Sequence, residues 1–362
     1  MAHRGEGTPE HMDYLQQLAE DPGRRQHYGE FYGLKLAFPP PGEDGEAAAL
    51  PRVTVVGNCQ AESLRIVLSS TQAIRSHRVP PIHEWVPSDL PSVYATLAAT
   101  DVLVMQPVRS DYRGMPIGTT QLQQHLPATA STVIYPVLRW DGLTPYQAIV
   151  RSPLEPGLDP PVLPYHDLRI LVAAATGGRQ PVAPQAGQQA LTIVAEESVE
   201  QLRRRESAAG AVQMSDVLAR HPVWHTINHP DNETLRTMGD RVFAQIREAE
   251  SRGTRAHISS SAGTAGEGAC RAPADREMLG RIDSPLEPAA LTALGMDLDA
   301  GDPRWQLSQR QSWRVDGREV RADELFAEHM AFYREHPEIV EAGLLRHRDK
   351  LELLGFGPYL PR

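Results

Sequence analysis

The sequence has little cysteine, few aromatic residues and no long apolar run. Its two cysteines, Cys59 and Cys270, lie far apart, which excludes a disulfide framework and is typical of a reducing cytoplasm. No apolar run reaches the ~18 residues that a membrane-spanning helix needs. The N-terminus lacks the apolar core of a signal peptide. We therefore expect a cytoplasmic protein without a membrane span.

Basic residues are also in deficit, with 36 Lys and Arg against 46 Asp and Glu and a net charge of −10. A general nucleic-acid binder needs a basic face that neutralises phosphates, so we expect no nucleic-acid partner. A local basic pocket for one phosphorylated cofactor is still compatible with this charge. The hydrophobic fraction of 41% is ordinary for a globular protein, and 362 residues can bury a substantial core.

Three histidines at four-residue spacing form a pattern that is typical of a metal site. His221, His225 and His229 would share one face of a helix, but Pro222 and Pro230 interrupt that helix. We therefore expect no metal site.

Short apolar strands alternate with helical patterns along the first two thirds of the chain. This alternation predicts an α/β fold, a parallel doubly wound sheet flanked by helices. The predicted strands are 53–56, 79–86, 101–106 and 132–136. The predicted helices are 89–97, 166–175, 196–205, 212–220, 231–246, 278–298 and 322–354. Residues 38–46 form a Pro/Gly/acid linker. The predicted domains are therefore a peripheral helical segment with this linker over 1–50, an α/β domain over 51–250, a flexible loop over 251–275 and a helical region over 276–362.

The stretch Val53 to Gln60 is the strongest local signal. A β-branched run ends at Gly57, and a helix begins near Gln60, so Cys59 lies at the carboxyl end of a strand and the amino end of a helix. Open α/β sheets bind ligands at that edge. The helix dipole there would lower the pKa of a thiol, and the thiolate is the reactive form. Two interpretations stay open: Cys59 is a nucleophile, or it is a small buried apolar residue.

Three ordered blocks carry a family resemblance. They are Gly57-Asn58-Cys59-Gln60, the segment 106–114 (Gln-Pro-Val-Arg-Ser-Asp-Tyr-Arg-Gly), and Asn228-His229-Pro230. Together they resemble the WcbI-type capsular polysaccharide biosynthesis proteins over about residues 53–246. The resemblance implies a fold related to SGNH/GDSL hydrolases, binding of coenzyme A or acetyl-coenzyme A, and an acetyltransferase role in surface polysaccharide assembly. With Cys in place of Ser and no Asp-x-x-His block near the C-terminus, a standard esterase triad does not follow.

Gln106 ends the third predicted strand beside the Cys59 turn. Its amide could donate to a developing oxyanion, together with the backbone N–H groups of Cys59 and Gln60. The resemblance agrees with an oxyanion-hole residue at this strand end. Alternatively, Gln106 only caps a loop.

A turn with two arginines follows Gln106. Arg109 and Arg113, with Asp111 and Tyr112, are suited to the phosphates of coenzyme A. Alternatively, Asp111 pairs with one of the arginines and merely fixes the loop. Thr119 is the predicted cap of the next helix.

A thiol nucleophile usually needs a base. His229 is the first candidate, with Asn228 orienting its ring or lining the pocket. His166 is the second, with Asp167 as its local partner, and it is also a candidate contact to the cofactor.

We therefore hypothesise a cytoplasmic acyltransferase that moves an acetyl group from acetyl-coenzyme A to a sugar hydroxyl. Its partners would be the acyl-coenzyme A and a carbohydrate acceptor, and homo-oligomerisation stays open. One alternative is a thiol-dependent esterase or thioesterase. Another is a non-catalytic coenzyme A- or glycan-binding protein.

Overall fold

The computed structural model describes residues 22–34, 50–183, 186–252, 270–296 and 309–360. The strands in these ranges are β1 (Val53–Val56), β2 (Val102–Met105), β3 (Ser131–Ile134), β4 (Gln147–Ala148), β5 (His166–Asp167), β6 (Ile282–Asp283), β7 (Trp313–Val315) and β8 (Arg318–Val320). The α-helices are α1 (Pro22–Tyr28), α2 (Gln60–Ser69), α3 (Leu90–Ala98), α4 (Thr119–Gln123), α5 (Leu168–Thr176), α6 (Gln188–Ala209), α7 (Ser215–Leu218), α8 (Asn232–Arg252), α9 (Pro288–Ala293), α10 (Ala322–Glu335), α11 (Pro337–Arg346) and α12 (Arg348–Leu353).

The chain forms two compact units, each built from three chain segments. The first unit comprises residues 1–137, 205–214 and 232–275, and the second comprises 138–204, 215–231 and 276–362. The domain boundaries at 51, 250 and 276 stay a prediction. Most of the predicted loop 251–275 and the linker 38–46 lie outside the described residues.

The first unit is organised on a three-stranded parallel sheet in the order β1-β2-β3. β1 pairs with β2 from Val53 opposite Val102 to Val56 opposite Met105. All residues of β1 and β2 are buried, as expected for a parallel sheet covered on both faces. The α/β class and a parallel sheet flanked by helices are therefore confirmed. The SGNH-like, doubly wound arrangement stays a prediction.

The strand predicted at 79–86 is wrong. Pro80 and Pro81 have no N–H for a ladder, and Ile82–Glu84 instead forms a 3-10 turn. Its apolar residues were a core signal rather than a strand signal, because Ile82 and Trp85 are buried in the cluster that also contains β1 and β2 side chains. The Ile82 N–H donates to the Gly57 carbonyl at 2.8 Å, so this segment packs on the turn that carries Cys59.

In the first unit, helix α8 packs against helix α2. A methyl group added at Gly239 would lie 2.3 Å from Val67 Cγ1, so the two helices approach too closely for any larger residue. Cys270 is buried beside this contact, and its N–H donates to Asp240 Oδ1 at 2.9 Å. This thiol is structural, since burial raises its pKa to about 12.

Helix predictions for the second unit are mixed. The pattern over 322–354 is confirmed as α10, α11 and α12, whereas the pattern over 278–298 gives only β6 and α9. In 212–220 only α7 is an α-helix. α5 begins at Leu168 rather than His166, because the Asp167 carboxylate caps it by accepting from the Arg169 N–H at 2.8 Å.

The second unit encloses an ion pair between Lys350 and Asp141, 2.7 Å apart. Both side chains are nearly inaccessible, and Arg139 lies 3.3 Å from the same carboxylate. Burial alone would raise the pKa of Asp141, but the charges of Lys350 and Arg139 outweigh it and lower that pKa to about 2. Among the described helices, none is both long and apolar enough to traverse a bilayer.

Candidate functional site

Polar groups from all three parallel strands meet at the carboxyl edge of the first unit's sheet. β1 leads into Gly57, Asn58 and Cys59, β2 leads into Gln106, and β3 leads into Tyr135. The first two were predicted, and α2 begins at Gln60 as expected, with Cys59 as its N-cap residue. Tyr135 was missed because its place beside the Cys59 turn depends on the strand order.

Gln106 ties this edge together. Its Oε1 accepts from the Asn58 N–H at 2.8 Å, and its Nε2 donates to Gln60 Oε1 at 3.1 Å. The Asn58 side-chain oxygen accepts from the Gln60 N–H at 2.9 Å. Gln60 and Gln106 are both buried, so these bonds hold the turn in one geometry.

Gly57 is required by close packing. A methyl group there would lie 2.4 Å from Tyr135 Oη and 2.7 Å from Gln106 Oε1. The Tyr135 hydroxyl donates to the Val56 carbonyl at 3.3 Å. The glycine thus lets two polar side chains reach the backbone next to Cys59.

The electrostatics of Cys59 differ from the expectation. Burial raises the pKa of the thiol to about 11, and the Glu84 carboxylate raises it further. The N–H groups of Cys59 and Gln60 act on the sulphur in the opposite sense, but they do not prevail. The expected lowering is therefore wrong for the free protein: partial helix-end charge is too small to offset desolvation. The thiol rests in its neutral form at pH 7.

The arginine turn after Gln106 lies on the surface of the first unit. Arg109, Asp111 and Arg113 are exposed, and Tyr112 is half-buried. Asp111 and Arg113 both adopt left-handed backbone angles, with φ of 52° and 56°. The Arg113 guanidinium donates to the His83 carbonyl, in the 3-10 turn that packs on Gly57. This contact links the arginine turn to the Cys59 turn.

The loop-fixing alternative for Asp111 needs correction. Its carboxylate accepts from Gln121 Nε2 at 2.8 Å, and its N–H donates to Gln121 Oε1 at 3.0 Å. The loop is therefore fixed by an amide rather than by an arginine, which leaves the guanidinium of Arg109 on the surface. The predicted cap is also wrong: Gly118 is the N-cap of α4, and the Thr119 hydroxyl instead accepts from the Val108 N–H at 2.9 Å.

Asn228 and His229 belong to the second unit, where they surround the hydroxyl of Tyr165. That hydroxyl donates to Asn228 Oδ1 at 2.8 Å, accepts from Thr226 Oγ1 at 2.9 Å and lies 3.3 Å from His229 Nε2. Burial lowers the pKa of His229 to about 4, and the neighbouring His225 lowers it further. The imidazole is therefore neutral at pH 7. Tyr165 was missed because nothing in its local sequence indicates this contact.

His225 contacts His229 through its backbone, since its N–H donates to the His229 carbonyl at 3.0 Å, and its side chain belongs to an ionic network. Its Nδ1 lies 2.6 Å from Asp283 Oδ1, and Arg310 Nη1 donates to the same oxygen at 2.6 Å. Burial alone would lower the pKa of His225, but hydrogen bonds to Asp283 and Glu277 leave it raised.

His166 is a core residue of the second unit. It is 1% exposed, and its Nδ1 lies 2.7 Å from the Tyr333 hydroxyl. Asp167 is not its partner, as was expected, because that carboxylate binds the Arg169 guanidinium at 2.6 Å. Burial lowers the pKa of His166 to about 3.

Comparison with known proteins decides the family. The model of the polysaccharide biosynthesis enzyme WcbI matches residues 52–250, which is more than half of the chain. The chain belongs to the WcbI family. This match covers all three sequence blocks, including the Cys59 turn and Asn228-His229. No curated protein matches the chain.

A solved WcbI structure has the same fold. It superposes with a TM-score of 0.62 at 16% identity, covering 84% of this chain and 98% of that one. That structure is described as the native protein of a novel polysaccharide biosynthesis enzyme, without the disulfide bond between coenzyme A and one of its cysteines.

Proposed function

We propose that this WcbI-family protein transfers an acyl group, acetyl in the simplest case, from coenzyme A to a sugar hydroxyl. The transfer takes place at the Cys59 turn. The observation that carries the proposal is the Cys59 turn, where a partly exposed residue at a strand end carries a thiol with backbone N–H groups directed at its sulphur. The description of the solved WcbI structure, which names coenzyme A and refers to a disulfide bond between it and a cysteine, supports the donor.

The exposed arginines fit the donor's phosphates. Arg109 and Arg113 follow the strand next to the Cys59 turn, and guanidinium groups bind phosphate oxygens in pairs. We propose that they hold the pyrophosphate while the thioester carbon lies at the Cys59 sulphur. Asp111 serves this site indirectly, since it keeps the turn in place through Gln121.

Two routes for transfer follow. In the first, the Cys59 sulphur attacks the thioester carbon, the carbon–sulphur bond to coenzyme A breaks, and the Cys59 proton passes to the departing thiolate. A sugar hydroxyl then attacks the acyl-cysteine, its proton goes to a base, and the Cys59 thiol is regenerated. In the second route the hydroxyl attacks the thioester directly and Cys59 only shapes the pocket.

Because the thiol is neutral, only the first route requires that a proton leave Cys59. Because the pKa of Cys59 is about 11, the first route needs proton removal during attack rather than a resting thiolate. His229, the base predicted from the sequence, lies in the second unit, and its role as the base that receives the hydroxyl proton stays a prediction. Its neutral ring can accept a proton at pH 7, although a pKa of about 4 makes it a weak base.

Intact-mass measurement after brief incubation with acetyl-coenzyme A tests the proposal. Wild type, Cys59→Ala and Cys270→Ala are compared, the last as a control that removes the buried structural thiol. An acetyl adduct of the wild type and Cys270→Ala, absent in Cys59→Ala, supports the first route. Equal coenzyme A binding by wild type and Cys59→Ala, with no adduct on either, points to direct transfer or to a binding role. No binding of coenzyme A by the wild type overturns the proposal.

A non-catalytic role is the second candidate, and the raised pKa of Cys59 favours it. A thiol that stays protonated suits recognition of coenzyme A better than attack on it. Coenzyme A binding that survives Cys59→Ala, with no acyl transfer to any sugar acceptor, would favour this role.

A further inference from the structure

The first unit contains a polar pocket of about 400 Å³, which we call the α1–α2 pocket. It is lined by Arg65 of α2, by residues 76–78, and by four residues in and just after the last turn of α1: Gln26, His27, Gly29 and Glu30. The last segment is fixed to the sheet because the N–H of Val53 in β1 donates to the Arg75 carbonyl at 2.8 Å. Its size lies in the range of small-molecule sites.

The lining of this pocket carries charges of both signs. Arg65 binds Glu62 through two hydrogen bonds of 2.7 and 2.8 Å. Arg78 Nη1 lies 3.0 Å from His27 Nδ1, and the carboxylate of Glu30 belongs to a residue that lines the same space. The lining thus carries two guanidinium groups and one carboxylate, and Glu62 outside the lining neutralises Arg65.

This lining discriminates between ligand classes. A phosphate would find only Arg78 without a bidentate carboxylate partner, since Arg65 is paired with Glu62, and the Glu30 carboxylate in the lining would weaken its binding. Sugar hydroxyls both donate and accept, so they match a lining that offers both kinds of group. The Arg78 guanidinium stacks 5.0 Å from the ring centre of Tyr28, which fixes its plane.

Two buried polar atoms here lack a hydrogen-bond partner within the described ranges, Ser76 Oγ and Arg78 Nε. The nearest acidic oxygen to Arg78 Nε is Glu62 Oε1 at 3.8 Å, which is an ion-pair distance and not a hydrogen bond. A buried polar atom without a partner costs stability, so such atoms call for an explanation. A bound ligand that hydrogen-bonds to both would supply one.

The pocket continues the accessible face of the helix that Cys59 caps. Cys59, Glu62 and Arg65 are partly exposed, whereas Leu64 and Val67 are buried. Arg65 follows Cys59 by six positions, which is about 9 Å along the helix axis. A ligand in the pocket would therefore lie alongside α2, beyond the reach of a single sugar ring that reacts at Cys59.

We propose that the α1–α2 pocket binds a neutral sugar residue of the acceptor, next to the one that is acylated at Cys59. This inference rests on the proposed function and deepens it, because it requires an acceptor of at least two sugar residues. Its observations are the lining of mixed charge with Arg65 paired to Glu62, the two polar atoms without a hydrogen-bond partner and the exposed side of α2.

The test uses the full chain on a printed array of neutral di- to tetrasaccharides, with titration of the best-bound glycan. Arg78→Met and Ser76→Ala should weaken that binding at least tenfold, because each removes a hydrogen-bonding group. Arg25→Met is the matched control, since Arg25 is exposed on α1 but does not line the pocket. Its affinity should equal that of the wild type.

Ser76→Ala has a second, independent readout. Because its hydroxyl lacks a partner in the free protein, removing it should leave the melting temperature equal or higher. Weaker glycan binding at unchanged stability separates a ligand contact from a structural one. Glu30→Gln, at an exposed residue, replaces Arg78→Met if the latter fails to fold.

Three results would overturn the inference. They are no binding of any array glycan by the wild type, equal binding by Ser76→Ala and wild type, or saturable binding of inorganic pyrophosphate that both pocket variants abolish. Acetyl adducts on Cys59, measured with the same variants, keep the two proposals apart. An adduct retained in Arg78→Met shows an intact donor site. A missing wild-type adduct counts against the acyl-cysteine route alone, and absence of coenzyme A binding by the wild type counts against the proposed function.

Discussion

Alkylation of Cys59 by iodoacetamide should be slow at neutral pH in the protein without coenzyme A. Only the thiolate reacts, and its fraction is set by the pKa. Burial and Glu84 raise the pKa of Cys59 to about 11, against ~8.5 for a free cysteine. At pH 7.5 the thiolate fraction, and with it the rate, should be about 300-fold below that of free cysteine.

The assay is quantitative peptide mass spectrometry of alkylated Cys59 between pH 6.5 and 10.5, with glutathione as reference. The rate should still be rising at pH 10. Glu84→Gln should shift the profile towards lower pH and speed alkylation about twofold, a small change because Glu84 is exposed and screened. Glu319→Gln, exposed on β8, is the control and should change nothing.

A rate within tenfold of glutathione at pH 7.5, or an inflection below pH 8.5, would refute the reasoning. It would mean that the backbone N–H groups at the start of α2 outweigh desolvation, as the sequence alone suggested. Because Cys270 is buried with a pKa of about 12, its slower reaction serves as an internal reference.

Three further predictions concern stability. Gly57→Ala should lower the free energy of unfolding by about 1–3 kcal/mol and abolish coenzyme A binding, because the added methyl group overlaps Tyr135 and Gln106. Adding Tyr135→Phe removes the closest contact and should restore part of both. An unchanged stability of Gly57→Ala would contradict the packing. Lys350→Met should cost about 3–5 kcal/mol by denaturant unfolding, since it leaves the buried Asp141 without its ammonium partner; a loss under 1 kcal/mol would contradict this. Below pH 6.5 histidines become protonated in the unfolded chain, whereas burial keeps His166 neutral in the folded protein. His166 should therefore lower the free energy of unfolding by up to about 2 kcal/mol between pH 7 and pH 5. His166→Gln should reduce this dependence of stability on pH, and an unchanged dependence would contradict the prediction.

Local backbone structure could be predicted from the sequence where one short segment determines it. The strand into Gly57, the start of α2 at Gln60 and the end of α5 at Gly177 all follow from a β-branched run or a turn residue. The segment 79–86 could not be read in this way, because its apolar side chains satisfy the core while its prolines prevent a ladder.

The site needed contacts between distant segments. Tyr135 and Gln106 reach Gly57 only because β2 lies between β1 and β3. The pKa of Cys59 could not be predicted either, since desolvation depends on the whole surrounding shell and the helix end is only one part of it. Asp167 shows the same limit: its adjacency to His166 suggested a pair, but Arg169 and the start of α5 take both carboxylate oxygens.

The packing of α2 on α8 has a consequence for how the chain acquires its structure during synthesis. Val67 and Gly239 are 172 positions apart, so the helix that carries Cys59 cannot obtain its partner until most of the polypeptide has left the ribosome. Contacts at such separation slow folding, because a long loop must close before they form. A fragment that stops before residue 232 would expose the apolar side of α2 and bind chaperones or aggregate rather than fold. The Cys59 turn therefore obtains its packing late in synthesis. Shortened versions of the protein should retain the Cys59 sequence without its geometry.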